Sequence, residues 1–269
     1  MTVLYERQGA TAVITMASPA TRNAFTPEIR EGLASAVARV RADPDVRAVI
    51  LTGSGGCFCA GGDIRGMRES HAAPPAPQDG ELRRTRLHGI QQWVGELASL
   101  DRPVIAAVDG PAFGAGFSLA LAADFVLATP RARFCMVFMR IGLVPDCGAA
   151  HLLPRVVGMQ RAKELMLSAR EVAADEALRL GIAMELHTPE ALLPRALALA
   201  ASFAQASPLA VSLVKRQLHD AGGLATAFEA EANAQALALA SAPHREAVER
   251  FLGKQPLAFQ WPGQAATKD

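Results

Sequence analysis

Twice in this chain a short β-branched run breaks into a glycine-rich turn and then a helical pattern, over residues 47–69 and again over 103–122. The first unit reads Arg47–Thr52 as a strand, a tight Gly-Ser-Gly-Gly loop, and a helix over Asp63–Glu69. The second reads Pro103–Val108 as a strand and then a small-residue segment opened by Gly114, GAGFSLALAA, as a buried helix. Helices with one apolar face must bury it against another layer, and their alternation with strands implies a layered α/β core.

The remaining pattern agrees. Thr11–Met16 is β-rich. Thr26-Pro27-Glu28 announces a helix, with a hydroxyl at the cap, proline in the first turn and an acid at the positive end of the dipole. Ile29, Leu33, Val37 and Val40 recur at helical spacing, and Asp43-Pro44 stops the run. A Pro/Ala-rich loop is predicted over 71–80, an amphipathic helix over Leu82–Leu100, and short strands over Phe125–Ala128 and Arg133–Met136. From Ala149 onward the pattern is helical, interrupted around Gly181–Glu185. Residues 1–200 read as the α/β core and 201–269 as a helical region with wide apolar faces, such as Val211, Val214 and Leu218. The apolar stretch Ala196–Phe203 asks for a partner surface.

The charge balance is nearly even, 27 Lys and Arg against 26 Asp and Glu, so no global field points to nucleic acid or an anionic membrane. No apolar run is long enough to span a bilayer. The first ten residues have no basic segment followed by an apolar core, so no secretory signal is expected. Cys57, Cys59, Cys135 and Cys147 read as reduced, mostly buried thiols of a cytoplasmic protein. The histidines lack metal-ligand spacing, so no catalytic metal is expected.

Chemistry concentrates in the turns. Cys57–Ile64 and Asp109–Gly116 each follow a strand and open a helix, where the first N–H groups have no partner inside the helix. Glycines let a ligand approach such groups closely, and two turns side by side can aim two N–H groups at one oxygen.

The ordered motifs are Arg22-Asn23-Ala24-Phe25, Phe58–Ile64, Gly114-Ala115-Gly116, Ile141–Asp146 and Leu153–Gly158. Together they resemble the crotonase (enoyl-CoA hydratase/isomerase) superfamily, and within it most closely the epoxyphenylacetyl-CoA isomerase branch. The likeness runs from about residue 3 to residue 254. It implies a ClpP/crotonase-like α/β fold of repeated ββα units with a C-terminal helical trimerisation region, and a homotrimer or dimer of trimers. It implies an acyl-CoA substrate, of which coenzyme A is itself a part, and no separate cofactor. By the same resemblance, Gly62 and Ala115 supply the oxyanion amides. Ala24, Ala60, Gly62, Asp63 and Ile64 hold the adenine and pantetheine, with Gly114 in the second turn. Arg22 and Lys254 are phosphate partners, and Phe251 with Lys254 completes a neighbour's site. The two glutamates of the family's hydratases fall on Ser118 and Phe138, neither of which is an acid. Asp146 is the acid left in the pocket wall. A carboxylate over an apolar cavity can carry one proton between carbons, so isomerisation is expected. Hydration by a non-standard group, or acyl-CoA binding without turnover, are the alternatives. Asp146 is also placed to cap the helix behind it, and Asp63 to cap the one it begins. Ser118 with His151 suggests a hydrolase, but the G-x-S-x-G elbow is absent.

Overall fold

A computed structural model of the chain describes residues 1–70, 79–219, 224–256 and 258–262. The strands are β1 (Val3–Gln8), β2 (Thr11–Met16), β3 (Ala48–Gly53), β4 (Val104–Val108), β5 (Pro111–Phe113), β6 (Phe125–Ala128), β7 (Arg133–Cys135), β8 (Glu171–Ala173) and β9 (Glu185–Leu186). The larger sheet runs β1-β2-β3-β4-β6-β9, parallel throughout except for the β1–β2 hairpin. The smaller runs β5-β7-β8.

Helices follow as α1 (Pro27–Ala42), α2 (Ile64–Ser70), α3 (Asp79–Ala98), α4 (Ala115–Leu121), α5 (Ala149–Val157), α6 (Met159–Ser168), α7 (Ala174–Arg179), α8 (Pro189–Ser202), α9 (Pro208–His219), α10 (Leu224–Ala240) and α11 (Ala242–Leu252).

Successive side chains of a strand point to opposite faces. In β3, Val49 and Leu51 join the core with α1, α3 and α4, while Ala48 and Ile50 join a second core on the other face. β4 divides the same way, Val104, Ala106 and Val108 against Ile105 and Ala107. Both faces are therefore buried, which is why these strands read as unbroken apolar runs.

α8 covers the second face with Leu192, Ala196, Leu199 and Ala200. The apolar stretch that asked for a partner surface thus finds it in the chain's own sheet. Arg195 of α8 and Glu185 of β9 lock this layer with paired hydrogen bonds of 2.8 Å. α10 and α11 also leave apolar side chains exposed, among them Phe228 and Leu237 on α10 and Phe251 and Leu252 on α11.

Several boundaries differ from the sequence reading. The helix expected from Leu82 begins at Asp79 and ends at Ala98. The loop expected over 71–80 falls on 71–78, outside the described residues, and on the first turn of α3. β1 and β8 had no predicted counterpart, and β5 occupies part of what was read as turn. The interruption around Gly181–Glu185 contains the start of β9.

Candidate active site

Asn23 organises the first turn. It is fully buried and left-handed, a conformation that asparagine tolerates better than most residues. Its Nδ2 donates to the Ser54 and Cys57 carbonyls at 2.9 and 2.6 Å, and its Oδ1 accepts from the Ser18 N–H at 2.8 Å. The Ala60 N–H donates to the Arg22 carbonyl at 3.0 Å, and the Phe25 N–H to the Gly61 carbonyl at 2.8 Å. These bonds hold the entry to α1 against the strand-to-helix turn after β3.

The second turn is zipped to the first. The Cys59 N–H donates to the Pro111 carbonyl at 3.0 Å, and the Phe113 N–H donates back to the Cys59 carbonyl at 2.9 Å. Glycine is required where the two backbones meet. A Cβ on Gly61 would lie 2.8 Å from the Phe113 oxygen, and one on Gly114 would press on the Val137 side chain, 3.2 Å from its Cγ2. Both residues have positive φ, which disfavours any side chain there. Gly62 and Ala115 follow directly in the two turns. Among the described residues neither of their N–H groups donates a hydrogen bond. Ala115 is the first residue of α4, so its N–H has no acceptor inside the helix.

Ser118 and Phe138 stand close by. Ser118 is fully buried, and its Oγ donates to the Gly114 carbonyl of its own helix at 3.2 Å. The Phe138 ring is buried, its Cζ 3.7 Å from where a Cβ on Gly114 would sit. One position therefore offers a hydroxyl committed to its helix and the other an apolar wall. The exposed His151 ring pairs with Arg155 at 2.8 Å and the Ser118 hydroxyl with its own helix, so no hydrogen bond joins the two and the hydrolase reading loses its support.

Asp146 precedes Cys147, whose φ is positive, in the turn before α5. The cap position of α5 is Gly148, with no side-chain capping bond. The Asp146 contribution is its main-chain carbonyl, which accepts from the Ala149 N–H at 3.1 Å. Its carboxyl is left over, and Oδ1 is buried without a hydrogen-bond partner. The expectation that this side chain caps the helix is thus corrected. Burial pushes the carboxyl above its usual range, against a weaker opposing hydrogen bond from the Cys147 thiol. The Cys147 thiol is itself pushed up, first by burial and then by the neighbouring carboxylate.

Asp63 does cap, its Oδ1 accepting from the Gly66 N–H at 3.0 Å, so that carboxylate is committed to α2. Ala24 and Ala60 are half-buried beside the first turn, and Ile64 is exposed on α2. Arg22 is exposed and left-handed. Phe251 and Lys254 are exposed at the end of α11, and no hydrogen bond or ion pair among the described residues ties them to the two turns. The four cysteines are free and buried.

One neighbour of the site had no place in the sequence reading. Met67 lies over the first turn, its Cε 2.7 Å from where a Cβ on Gly62 would be.

Comparison with known proteins gives a consistent result. The sequence profile described as "Enoyl-CoA hydratase/isomerase" matches residues 6–263. The 1,2-epoxyphenylacetyl-CoA isomerase of Escherichia coli is 37% identical over 91% of this chain and 93% of its own. The short-chain-enoyl-CoA hydratase of Clostridium acetobutylicum is 32% identical over 95% and 96%. A solved enoyl-CoA hydratase/isomerase from Cupriavidus metallidurans superposes with a TM-score of 0.91 at 44% identity, covering 98% of each chain. The α/β layering described above is therefore the crotonase fold.

Proposed function

The chain belongs to the enoyl-CoA hydratase/isomerase family, and from that premise we propose that it isomerises an acyl-CoA thioester, with Asp146 moving the proton. The observation that carries this reading is the buried Asp146 carboxyl, whose Oδ1 has no hydrogen-bond partner, in a chain whose Ser118 and Phe138 cannot activate water. In a 3-enoyl thioester the Asp146 carboxylate takes a proton from C2. The electron pair settles on the thioester oxygen, held by the Gly62 and Ala115 amides. The same carboxyl then returns the proton to C4, and the double bond ends in conjugation. Preorganised donors of this kind contribute on the order of 3 kcal/mol each to the transition state. The free amides of the two zipped turns and the likeness to an isomerase support the assignment. The adenine and pantetheine are assigned to Ala24, Ala60, Asp63 and Ile64, with Asp63 acting through its main chain because its carboxylate is used.

The test is an absorbance assay at the conjugated enoyl thioester band. With 3-hexenoyl-CoA the band should grow, and with crotonyl-CoA it should persist. Loss of the band with crotonyl-CoA, and no growth with the 3-enoyl thioester, would make the protein a hydratase.

The exposed apolar residues of α10 and α11 support a homotrimer or dimer of trimers built by the region 201–269, with Arg22 and a neighbour's Phe251 and Lys254 around the CoA phosphates. Light scattering should return a mass near three or six times 28.3 kDa; a monomer at micromolar concentration would rule this arrangement out.

A further inference from the structure

We propose that the tail segment Phe259–Pro262 is a strap that sets the position of Lys254 for the CoA phosphates. The inference rests on the phosphate role given to Lys254 above and adds what aims that side chain. α11 ends in a tight turn. The Gly253 N–H donates to the Glu249 carbonyl at 2.8 Å, the Lys254 N–H to the Phe251 carbonyl at 3.2 Å and the Gln255 N–H to the Arg250 carbonyl at 2.9 Å. The Arg250 guanidinium closes the turn on the Pro256 carbonyl at 3.4 Å. Lys254 sits inside it at positive φ, which is uncommon for a residue with a side chain. Phe259 follows Pro256 by three residues, a span of at most about 11 Å, so whatever holds Phe259 limits where the turn can go.

The hold is made on the back of the core. The Trp261 ring lies edge-on to Phe125 of β6 at 5.4 Å and to Phe203, just past α8, at 5.9 Å. Phe259 meets the same Phe203 at 5.6 Å. Phe125 and Phe203 are themselves stacked at 6.1 Å, so the tail completes a box of rings. Its main chain is held as well, because Nη2 of the buried Arg195, already bonded to Glu185, donates to the Pro262 carbonyl at 3.1 Å. Aromatic pairs in these orientations attract beyond the area they bury, and a charged donor bonds more strongly than a neutral one. At the far end, α9 is pinned where Lys215 meets Asp124 and the Arg102 carbonyl. α10 and α11 therefore run between two anchors on one core, and the strap is the anchor next to Lys254. A lysine is a point charge on a flexible stem, so the aim of its ammonium depends on where its backbone is fixed.

Equilibrium binding of two unreactive thioesters tests this on the full chain by calorimetric titration. Butyryl-CoA carries the phosphates; butyryl-pantetheine keeps the thioester and the pantetheine arm and lacks every phosphate. Trp261→Ala is expected to raise the Kd for butyryl-CoA by about fivefold, the worth of a solvent-facing charge pair, and to leave that for butyryl-pantetheine unchanged. Trp261→Phe, which keeps a ring in the box, should recover most of the affinity. In a Lys254→Ala background, Trp261→Ala should add nothing, because the group it aims is gone. Trp261 is partly exposed, so its loss should leave the fold intact; if circular dichroism shows otherwise, Trp261→Leu carries the same comparison. Equal weakening of both thioesters, unchanged binding of butyryl-CoA, or a loss that persists in the Lys254→Ala background overturns the strap. Lys254→Ala binding butyryl-CoA as the parent does would instead remove the phosphate role of Lys254, and the inference with it.

Discussion

Asp146→Asn is expected to lower turnover of a 3-enoyl-CoA by about 10³-fold, within the range of general acid–base catalysis, while the Kd for the thioester changes by less than about twofold. Asparagine keeps the shape of the side chain and cannot take the proton. No second acid stands at the positions of Ser118 and Phe138 to replace it. The pH profile gives an independent reading. The base must be ionised, so activity should fall as pH drops through the pKa of Asp146, which burial holds above the usual carboxylate range. The unaltered protein should therefore show one acidic limb displaced upward, absent from the residual activity of the variant. Stability should move the opposite way to activity. The folded protein holds this proton more tightly than the unfolded chain, so ionisation costs stability as pH rises past the unfolded value. The cost is complete above the folded pKa and absent below the unfolded one. Asp146→Asn should thus melt higher than the parent at neutral pH and together with it in strong acid. A variant with full turnover would falsify the assignment.

Gly116→Ala should damage both folding and catalysis through a single methyl group. Gly116 has no positive φ, so backbone conformation is not the obstacle. The added Cβ would sit 2.5 Å from the Cys59 carbonyl oxygen and 2.7 Å from the Cys59 Cβ. Cys59 cannot yield easily, because its N–H and carbonyl are the two groups that zip the turns together. Overpacking of this kind costs about 2–3 kcal/mol, a fall in Tm of about 5–10 °C for a chain of this size. Because the displacement separates the turns that carry Gly62 and Ala115, kcat should fall by about 10²-fold, the worth of one lost oxyanion donor. Gly95→Ala on α3 is the control: nothing lies within 4 Å of its added Cβ, so the variant should be neutral or slightly stabilised. Equal melting and equal kcat for Gly116→Ala and its parent would show that the contact at Cys59 does not govern the turns.

The interior was readable wherever burial leaves a periodic mark. β2, β3, β4 and α1 carry apolar residues at strand or helix spacing and emerged close to their structural bounds. β1 did not, because it is an edge strand whose outer positions are Leu4, Glu6, Arg7 and Gln8, which dilute the pattern. β5 and β8 are three residues each, too short for any period to register. Hydropathy predicts that α8 is covered without telling by what, and the cover is the back of the chain's own sheet. At the site, the glycines of the two turns were visible as a composition. Their necessity depends on distances between segments more than fifty residues apart, as with Gly61 and Phe113. Asp146 posed a different limit: a helix start can be satisfied by a side chain or by a main-chain carbonyl, and residue type does not separate them.

The zipped turns also bear on how such a scaffold changes its trade. A peptide N–H belongs to every residue except proline, so most point substitutions at Gly62 or Ala115 retain the donor and act only by crowding it. The walls are different, since the side chains at 118, 138 and 146 can be exchanged without touching the frame. In the proposed reaction, electrophile activation is thus inherited with the backbone, and what is done to the activated group is open to revision three side chains at a time.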